Sequence, residues 1–245
     1  MFLLLPPSET KATGGAGPPL DLDSLIFPAL GEPRRRLIEN LVEVCTDLPV
    51  ARRALSVSPS KDAEIFATAA LQSVGTLPAL RRYTGVLYDA LDVRSLGPAA
   101  RRRADERILI SSALFGVVGG ADLVPAYRLS AGSKLPGLPG LAAYWRPELS
   151  VALKDLAGPV VDLRSGAYAA FAPVSGAIGV RVMTEDGSGE RTVVSHFSKA
   201  TKGLLARALV NSRADIGDLT AVVRVARNAG LRVERSGPAA IEVVT

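Results

Sequence analysis

Three short, largely apolar runs constrain the fold of this chain more than any other sequence feature. The first, residues 2–5, stops at Pro6 and Pro7, and the others cover residues 107–114 and 159–163. A continuous apolar run of about four to eight residues is typical of a strand that is covered on both faces of a sheet. The runs therefore predict buried strands of an α/β fold.

The segments between these runs carry helical and hairpin patterns. Alternating residues on both sides of Asp186–Gly189 predict a β-hairpin over 179–197, and residues 231–245 predict a second one. With hairpins added, we expect a mixed α/β (α+β) sheet that is mainly buried and covered by helices, in a single domain over residues 1–245. Apolar residues at helical spacing predict helices at 33–47, 60–74, 84–91, 98–104, 141–156, 199–211 and 218–229.

Composition excludes several classes of protein. The first apolar run is too short for a secretory signal and nothing basic precedes it, and no run approaches the roughly 18 apolar residues of a membrane helix. The single cysteine cannot form an intramolecular disulfide, and one histidine with one cysteine excludes a Cys/His zinc cluster. We therefore expect a cytoplasmic protein without a metal, a cofactor or a membrane partner.

Cys45 falls within an apolar helical pattern and is predicted to be a small core residue. His196 has no carboxylate near it in the sequence, which favours a structural role. The glycines that follow the second run match neither the dinucleotide-binding fingerprint nor a P-loop. Runs of arginine at 34–36, 52–53, 81–82 and 101–103 are interpreted mainly as solvated helix ends.

Polar side chains follow each of the three apolar runs. Ser8 and Lys11 follow the first run, a glycine-rich turn and then Arg128 follow the second, and Ser165 follows the third. If the strands are parallel neighbours, these residues converge on one edge of the sheet, where open α/β sheets usually bind ligands. Arginine, lysine and hydroxyl side chains suit phosphate, so we expect a basic cleft at the strand ends. Ordinary solvated loops would also explain the pattern.

Residues 198–207 form the second candidate feature. Ser198 can cap a helix that follows a strand, which places Lys199 and Lys202 in or near the first turn, with Arg207 on the same side. Cations are unfavourable at this positive end of a helix, whereas a bound anion would meet free N–H groups and both amines. A solvated basic face is the alternative.

Six motifs, in order along the chain, resemble the YaaA family of peroxide-stress proteins. The opening LLLPPSETK (3–11) resembles the first strand of the family and its serine–lysine signature, and YTGVLYDAL (83–91) resembles its G-x-x-Y segment through Gly85 and Tyr88. The other four are SALFGVVGGADLVPAYRLSAG (112–132), YW (144–145), VVDLRSGAY (160–168) and SHFSKATKGLLARALV (195–210).

The chain departs from the family pattern at three places. Gly119-Gly120 stands where the family commonly has Arg-Pro, Phe115 stands where it often has tyrosine, and Ala167 replaces its glutamate. The resemblance implies a cytoplasmic protein that protects against hydrogen peroxide by limiting free intracellular iron. It also implies DNA binding through a positively charged cleft and a helix-hairpin-helix-like element, which here would lie within residues 33–75.

Two molecular functions remain open, and the third alternative is a protein whose molecular ligand is unknown. The first is non-catalytic, salt-dependent binding of double-stranded DNA, which the net charge of +5 permits. The second is an enzyme on a nucleotide or damaged nucleobase, with a buried lysine such as Lys11 or Lys199 as base or Schiff-base nucleophile. An enclosed lysine near a serine or a tyrosine would favour the enzyme over DNA binding. The predicted DNA- or phosphate-binding residues are Ser8, Lys11, Tyr88, Arg128, Lys134, Ser165, Tyr168, Lys199, Lys202 and Arg207.

Overall fold

The computed structural model describes residues 1–193 and 196–245, without the side chains of residues 193, 196 and 197. Helices surround an eight-stranded sheet in this part of the chain, and a two-stranded sheet lies apart from it. The strands are β1 (Phe2–Leu5), β2 (Leu77–Pro78), β3 (Ile108–Ser112), β4 (Gly116–Gly119), β5 (Leu123–Val124), β6 (Val160–Asp162), β7 (Ile178–Glu185), β8 (Arg191–Val193), β9 (Arg232–Gly237) and β10 (Ala240–Val244).

Seven of the described helices overlap the predicted segments, whereas those at Leu48–Leu55, Ala79–Arg82 and Gly166–Ala169 were not predicted. Two of the helices start at an aspartate whose carboxylate accepts a backbone N–H three residues on: Asp47 from Val50, and Asp218 from Ala221. The helices are α1 (Gly31–Val44), α2 (Leu48–Leu55), α3 (Asp62–Ala69), α4 (Ala79–Arg82), α5 (Val86–Leu91), α6 (Pro98–Arg107), α7 (Leu141–Ala152), α8 (Gly166–Ala169), α9 (His196–Asn211) and α10 (Leu219–Asn228), with 3-10 turns at Leu22–Ser24, Pro28–Leu30, Pro59–Lys61 and Val93–Ser95.

Strand β1 lies in the middle of the large sheet. It pairs in parallel with β3 on one side and with β6 on the other, and Leu3, Leu4 and Leu5 are fully buried. The strand order is β4-β3-β1-β6-β7-β10-β9, with β8 paired to β7. The expectation that the three apolar runs are parallel neighbours is therefore confirmed, and their carboxyl ends share one edge of the sheet.

Hairpins make this sheet mixed, as the sequence predicts. Strand β7 is parallel to β6 and to β10, whereas β8 and β9 run antiparallel to β7 and β10. The α/β fold class is confirmed. The glycine-rich segment after β3 was expected to be a turn, but it continues as β4, antiparallel to β3. Gly116, at φ 71°, makes this reversal sterically feasible.

Helix α9 begins earlier than the sequence pattern indicates. It starts at His196, so Ser198 is its third residue, and the prediction that Ser198 is its N-cap is wrong. Close packing against α5 accounts for the position of α9, because a Cβ atom at Gly203 would overlap the carbonyl oxygen of Leu87. The side chain of His196 lies outside the described residues, as do residues 194 and 195 of the second predicted hairpin strand.

Two arginines of the runs interpreted as solvated are fully buried. Arg34 donates to the carbonyl oxygens of Phe115, Ile26 and Val117 at 3.1, 2.9 and 2.8 Å. Arg82 donates in the same way to Val124, Ala12 and Gly75. Each guanidinium thus joins separate loops, because five N–H groups can satisfy several carbonyls at once.

The prediction for Cys45 is confirmed. It is buried in the core beside the apolar residues of α1, and burial raises the pKa of its thiol to about 11. Among the helices that the structure describes, none combines the length and the apolar character needed to cross a membrane.

Candidate functional site

Lys11 lies beyond the carboxyl end of β1, in a loop that is fixed against the segment before α5. Residue 11 forms an antiparallel bridge with Tyr83, and the N–H of Ala12 donates to the carbonyl of Arg82 at 2.9 Å. The Lys11 amine donates to the carbonyl oxygens of Ser8 (3.1 Å) and Glu9 (3.4 Å). The loop therefore folds around its own lysine and holds the amine in place.

Aromatic rings enclose the same amine. Its nitrogen lies 4.2 Å from the ring centroid of Tyr127 and 5.5 Å from that of Tyr83. Tyr88 stacks on Tyr83 with centroids 5.7 Å apart, and its hydroxyl donates to the carbonyl of Pro6 at 2.8 Å. Two of the five tyrosines in the chain thus lie against one lysine, and a third packs against Tyr83. We call Lys11, Tyr83, Tyr88, Ser112, Tyr127 and Arg128 the Lys11 site.

The environment lowers the pKa of Lys11 to about 7. Burial is the largest cause, because it disfavours the charged ammonium, and the nearby guanidinium of Arg128 acts in the same direction. Glu64 and Glu9 oppose the shift without cancelling it. The lowered pKa makes the neutral Lys11 amine accessible near neutral pH, and the neutral amine is the form that can act as a base or a nucleophile.

A chain of three hydroxyl groups lies beneath the amine. Ser112 Oγ is 2.8 Å from the Tyr127 hydroxyl, which is in turn 2.8 Å from the hydroxyl of Tyr83. Ser112 Oγ also accepts the backbone N–H groups of Leu114 and Phe115 at 3.2 and 2.9 Å. Burial raises the pKa of Tyr83 to about 12 and that of Tyr127 well above 10, so both stay protonated.

Arg128 is held by two carboxylates at the side of the site. Its guanidinium contacts Glu9 at 3.1 Å and Glu64 at 3.4 Å, and its backbone N–H donates to Thr68 Oγ1 at 2.8 Å. Arg128 therefore adds positive potential next to Lys11. Its charge is partly balanced already, so a phosphate would have to compete with Glu9 for it.

Two further predicted cations have internal partners away from Lys11. The Lys202 amine donates to the carbonyl of Arg164 at 3.2 Å, and burial lowers its pKa against an opposing effect of Asp162. Arg207 donates to the carbonyls of Leu91 (2.9 Å) and Asp92 (2.8 Å), where α5 ends. Arg207 thus satisfies carbonyls at the end of a helix, which accounts for its presence without a ligand.

The other predicted residues differ in their surroundings. Lys134, Ser165 and Lys199 are exposed, and Tyr168 is half-buried. Burial raises the pKa of Tyr168, and the neighbouring Tyr83 hydroxyl adds to that effect. Ser8 Oγ lies 3.1 Å from Thr10 Oγ1 in the loop that holds Lys11. The structure therefore groups Ser8, Tyr88, Arg128 and Tyr168 around Lys11, and it gives Lys202 and Arg207 other partners.

The predicted set of binding residues does not include Tyr83, Ser112 or Tyr127. All three lie within motifs that carry the family resemblance, at residues 83–91 and 112–132. Hydrogen bonds join Tyr127 to Tyr83 and to Ser112, which lie 44 and 15 positions away in the sequence. No local spacing in the sequence indicates these contacts. Within the described residues, no group of three or more histidine, cysteine, aspartate or glutamate side chains is placed to hold a metal ion.

The glycine pair that departs from the family pattern fits its surroundings closely. A Cβ atom at Gly120 would lie 2.7 Å from Leu80 Cδ1 and 3.0 Å from the carbonyl oxygen of Ala104. The N–H of Gly119 donates to the carboxylate of Asp122 at 2.9 Å. A side chain at position 120 would therefore crowd Leu80 in α4 and Ala104 in α6 unless they shifted. Ala167, the other departure, is exposed in α8.

Comparison with known proteins agrees with this resemblance. A family model described as peroxide stress protein YaaA matches residues 1–236. A UPF0246 protein of Corynebacterium efficiens is 46% identical over 240 residues, covering 96% of this chain and 95% of that protein. A UPF0246 protein of Streptomyces coelicolor is 43% identical over 244 residues, covering 98% and 94%, and one of Idiomarina loihiensis is 32% identical over 214 residues, covering 79% and 83%.

The buried Lys11 amine predicts a specific dependence of stability on pH. Its folded pKa of about 7 lies below that of an unfolded lysine, so the unfolded chain binds more protons above pH 7. The contribution of Lys11 to the free energy of unfolding therefore rises from about pH 7 towards pH 10. We expect Lys11→Met to remove this rise and to be ~1–3 kcal/mol more stable than the wild type at pH 6.

Urea unfolding at several pH values measures this effect. Lys134→Met, at an exposed position, serves as the control and keeps the wild-type pH dependence. A Lys11→Met protein with the same pH dependence as the wild type would show that burial of the Lys11 amine does not lower the free energy of unfolding.

Proposed function

Because the chain belongs to the family of peroxide stress protein YaaA, we propose that it protects cells against hydrogen peroxide, acting in the cytoplasm. The observation that supports a molecular role is the Lys11 site at the carboxyl edge of the central strands. It combines a lysine that is partly neutral at pH 7 with tyrosine and serine hydroxyls. Such perturbed groups cluster at functional sites more often than elsewhere.

We propose limitation of free iron as the cellular effect, following the family resemblance. No group of metal ligands among the described residues supports direct iron storage, so this proposal concerns the outcome in cells. The experiment uses a bacterial strain without its own family member, complemented with this chain or with Lys11→Met.

The wild-type chain should restore survival in hydrogen peroxide and lower the chelatable iron, measured by electron paramagnetic resonance of whole cells. Lys11→Met should do neither, at equal protein levels, because it removes the reactive group of the site. Restored survival with unchanged iron would reject the iron route, and unrestored survival with the wild-type chain would reject the peroxide role.

DNA binding is the first molecular proposal. The net charge of +5 supports it, as do the exposed side chains of Lys134 and Lys199. Residues 33–75, where the resemblance suggests a helix-hairpin-helix-like element, contain α1, α2 and α3, and α2 carries the exposed Arg53. Arg128, Lys202 and Arg207 have internal partners, so we propose that the exposed cations make the main phosphate contacts.

A salt titration with a fluorescently labelled DNA duplex tests this proposal. The double variant Lys134→Ala/Lys199→Ala should bind more weakly, and its plot of log K against log salt should be shallower by roughly 2, since each phosphate contact contributes about 0.9. Lys154→Ala, at another exposed lysine, is the matched control. It should change the slope by about 0.9 at most, which is the contribution of one phosphate contact. Binding that does not vary with salt would reject the DNA proposal.

The Lys11 site favours a second function, an enzyme that acts on a nucleotide or damaged nucleobase. Duplex phosphates need an exposed ammonium, whereas Lys11 lies beneath its loop and over the tyrosine rings. A neutral amine next to hydroxyl donors suits general-base or nucleophilic catalysis. Under this proposal, Lys11 is the reacting group, and Arg128 provides positive potential for an anionic substrate.

Acetylation of Lys11 as a function of pH, followed by peptide mass spectrometry, tests this second function. The rate should follow a titration with a midpoint near pH 7 in the wild type. Arg128→Met should raise the midpoint, because it removes a positive charge and leaves Glu9 and Glu64 to favour the ammonium. Arg146→Met, at an exposed arginine, is the control and should leave the midpoint unchanged. A midpoint near 10 in the wild type would contradict the proposal.

A further inference from the structure

The hydroxyl chain beneath Lys11 has a defined direction. Ser112 Oγ accepts two backbone N–H groups, from Leu114 and Phe115, so its remaining capacity is to donate its own hydrogen. The Tyr127 hydroxyl, 2.8 Å away, is the acceptor for that hydrogen. Tyr127 then donates to Tyr83 at 2.8 Å. Donation therefore runs from Ser112 through Tyr127 to Tyr83.

The chain ends at the hydroxyl of Tyr83, which is held by its neighbours. Tyr83 accepts from Tyr127, and Ser112 is its other side-chain hydrogen-bond partner. Hydrogen bonds in such a chain polarise one another, so the terminal hydroxyl is a stronger donor than an isolated tyrosine. Hydrogen bonding from Tyr127 and Ser112 also lowers the pKa of Tyr83 against the effect of burial.

Tyr83 and Lys11 are held side by side. Their backbones form the antiparallel bridge, and the Lys11 amine lies 5.5 Å from the centroid of the Tyr83 ring. Lys11 remains partly accessible, and the adjacent Glu9 and Thr10 are exposed. A small molecule that displaces part of this loop would meet an amine and a phenol together. An anionic group on that molecule would replace the exposed Glu9 carboxylate, which lies 3.1 Å from Arg128.

We propose that Lys11 and Tyr83 form an imine-forming pair for a small aldehyde or ketone that carries a carboxylate or phosphate. This proposal rests on the second proposed function, in which Lys11 is the reacting group. The neutral Lys11 nitrogen attacks the carbonyl carbon, and the carbonyl π electrons move to oxygen, which takes the proton of the Tyr83 hydroxyl. The nitrogen returns a proton to the tyrosinate, which gives a carbinolamine and restores Tyr83.

Loss of water completes the condensation. The carbinolamine oxygen receives a proton from Tyr83 and leaves as water while the C=N bond forms, and the second proton on nitrogen returns to Tyr83. The net reaction consumes one amine and one carbonyl compound and releases one water. It needs no oxidant or reductant. Lys11 and Tyr83 are the catalytic residues in this scheme, and Tyr127 positions the Tyr83 hydroxyl.

Reductive trapping tests the pair directly. The full-length protein is incubated at pH 7 with glyoxylate, an aldehyde with a carboxylate, and cyanoborohydride, and each lysine is followed by peptide mass spectrometry. We expect Lys11 to be modified at least 10-fold faster than the exposed Lys134 in the same sample. Acetaldehyde, which lacks the anionic group, should show less preference for Lys11. Equal rates at Lys11 and Lys134 with glyoxylate would overturn the proposal.

Tyrosine variants test whether the Tyr83 hydroxyl takes part in the reaction. Tyr83→Phe keeps the ring and should slow modification of Lys11 at least 10-fold without changing Lys134. Tyr127→Phe should slow it roughly 3-fold, which keeps the test valid if Tyr83→Phe does not fold. Tyr144→Phe, outside the site, should change neither rate. Unchanged modification of Lys11 in both Tyr83→Phe and Tyr127→Phe would overturn the proposal.

The acetylation experiment separates this inference from the function on which it rests. Lys11 that acetylates with a midpoint near pH 7 but is not trapped through Tyr83 would overturn the imine pair alone. Lys11 that fails both assays would overturn the imine pair and the enzyme proposal together. DNA binding is measured independently of either result.

Discussion

Strand β1 pairs in parallel with β3 and β6, and this pairing brings Lys11 and Ser112 of the Lys11 site to one edge of the sheet. Parallel strands deliver the segments that follow them to the same edge of a sheet. The loop after β1 brings Lys11 to that edge, β3 ends there with Ser112, and β6 leads to Arg164. Because Leu3, Leu4 and Leu5 are completely buried, a shift of register would expose apolar surface across both neighbouring strands.

Buried guanidinium groups carry much of the tertiary organisation around this sheet. Arg34 and Arg82 are fully buried and hydrogen bonded to backbone carbonyls, and Arg164 forms a two-pronged ion pair with Asp162 at 2.9 and 2.7 Å. A buried charge is tolerated only when hydrogen bonds replace its hydration. These arginines therefore hold loops in place, and the basic composition of the chain overstates the positive charge that is available to a partner.

The fold could be predicted from the sequence further than the site could. Continuous apolar runs identify the buried strands because burial on both faces leaves no polar alternation, and β1, β3 and β6 are where those runs indicate. The start of α9 was predicted too late, because a serine near the start of a helix can lie inside its first turn as well as cap it. The tyrosine cluster could not be predicted either, because Tyr83 and Tyr127 come together only in the tertiary fold. The sequence also does not distinguish a cation that has internal partners, such as Arg207, from one that is free to bind a ligand.

The contact between α5 and α9 at Gly203 restricts how this molecule can change shape. The helices are in backbone contact there, so neither can slide along or rotate against the other without a steric clash. Arg207 adds a second attachment one turn further along α9, at the end of α5. The two helices thus behave as one rigid body beneath the site. Any movement of α5 at the site therefore requires α9 to move with it.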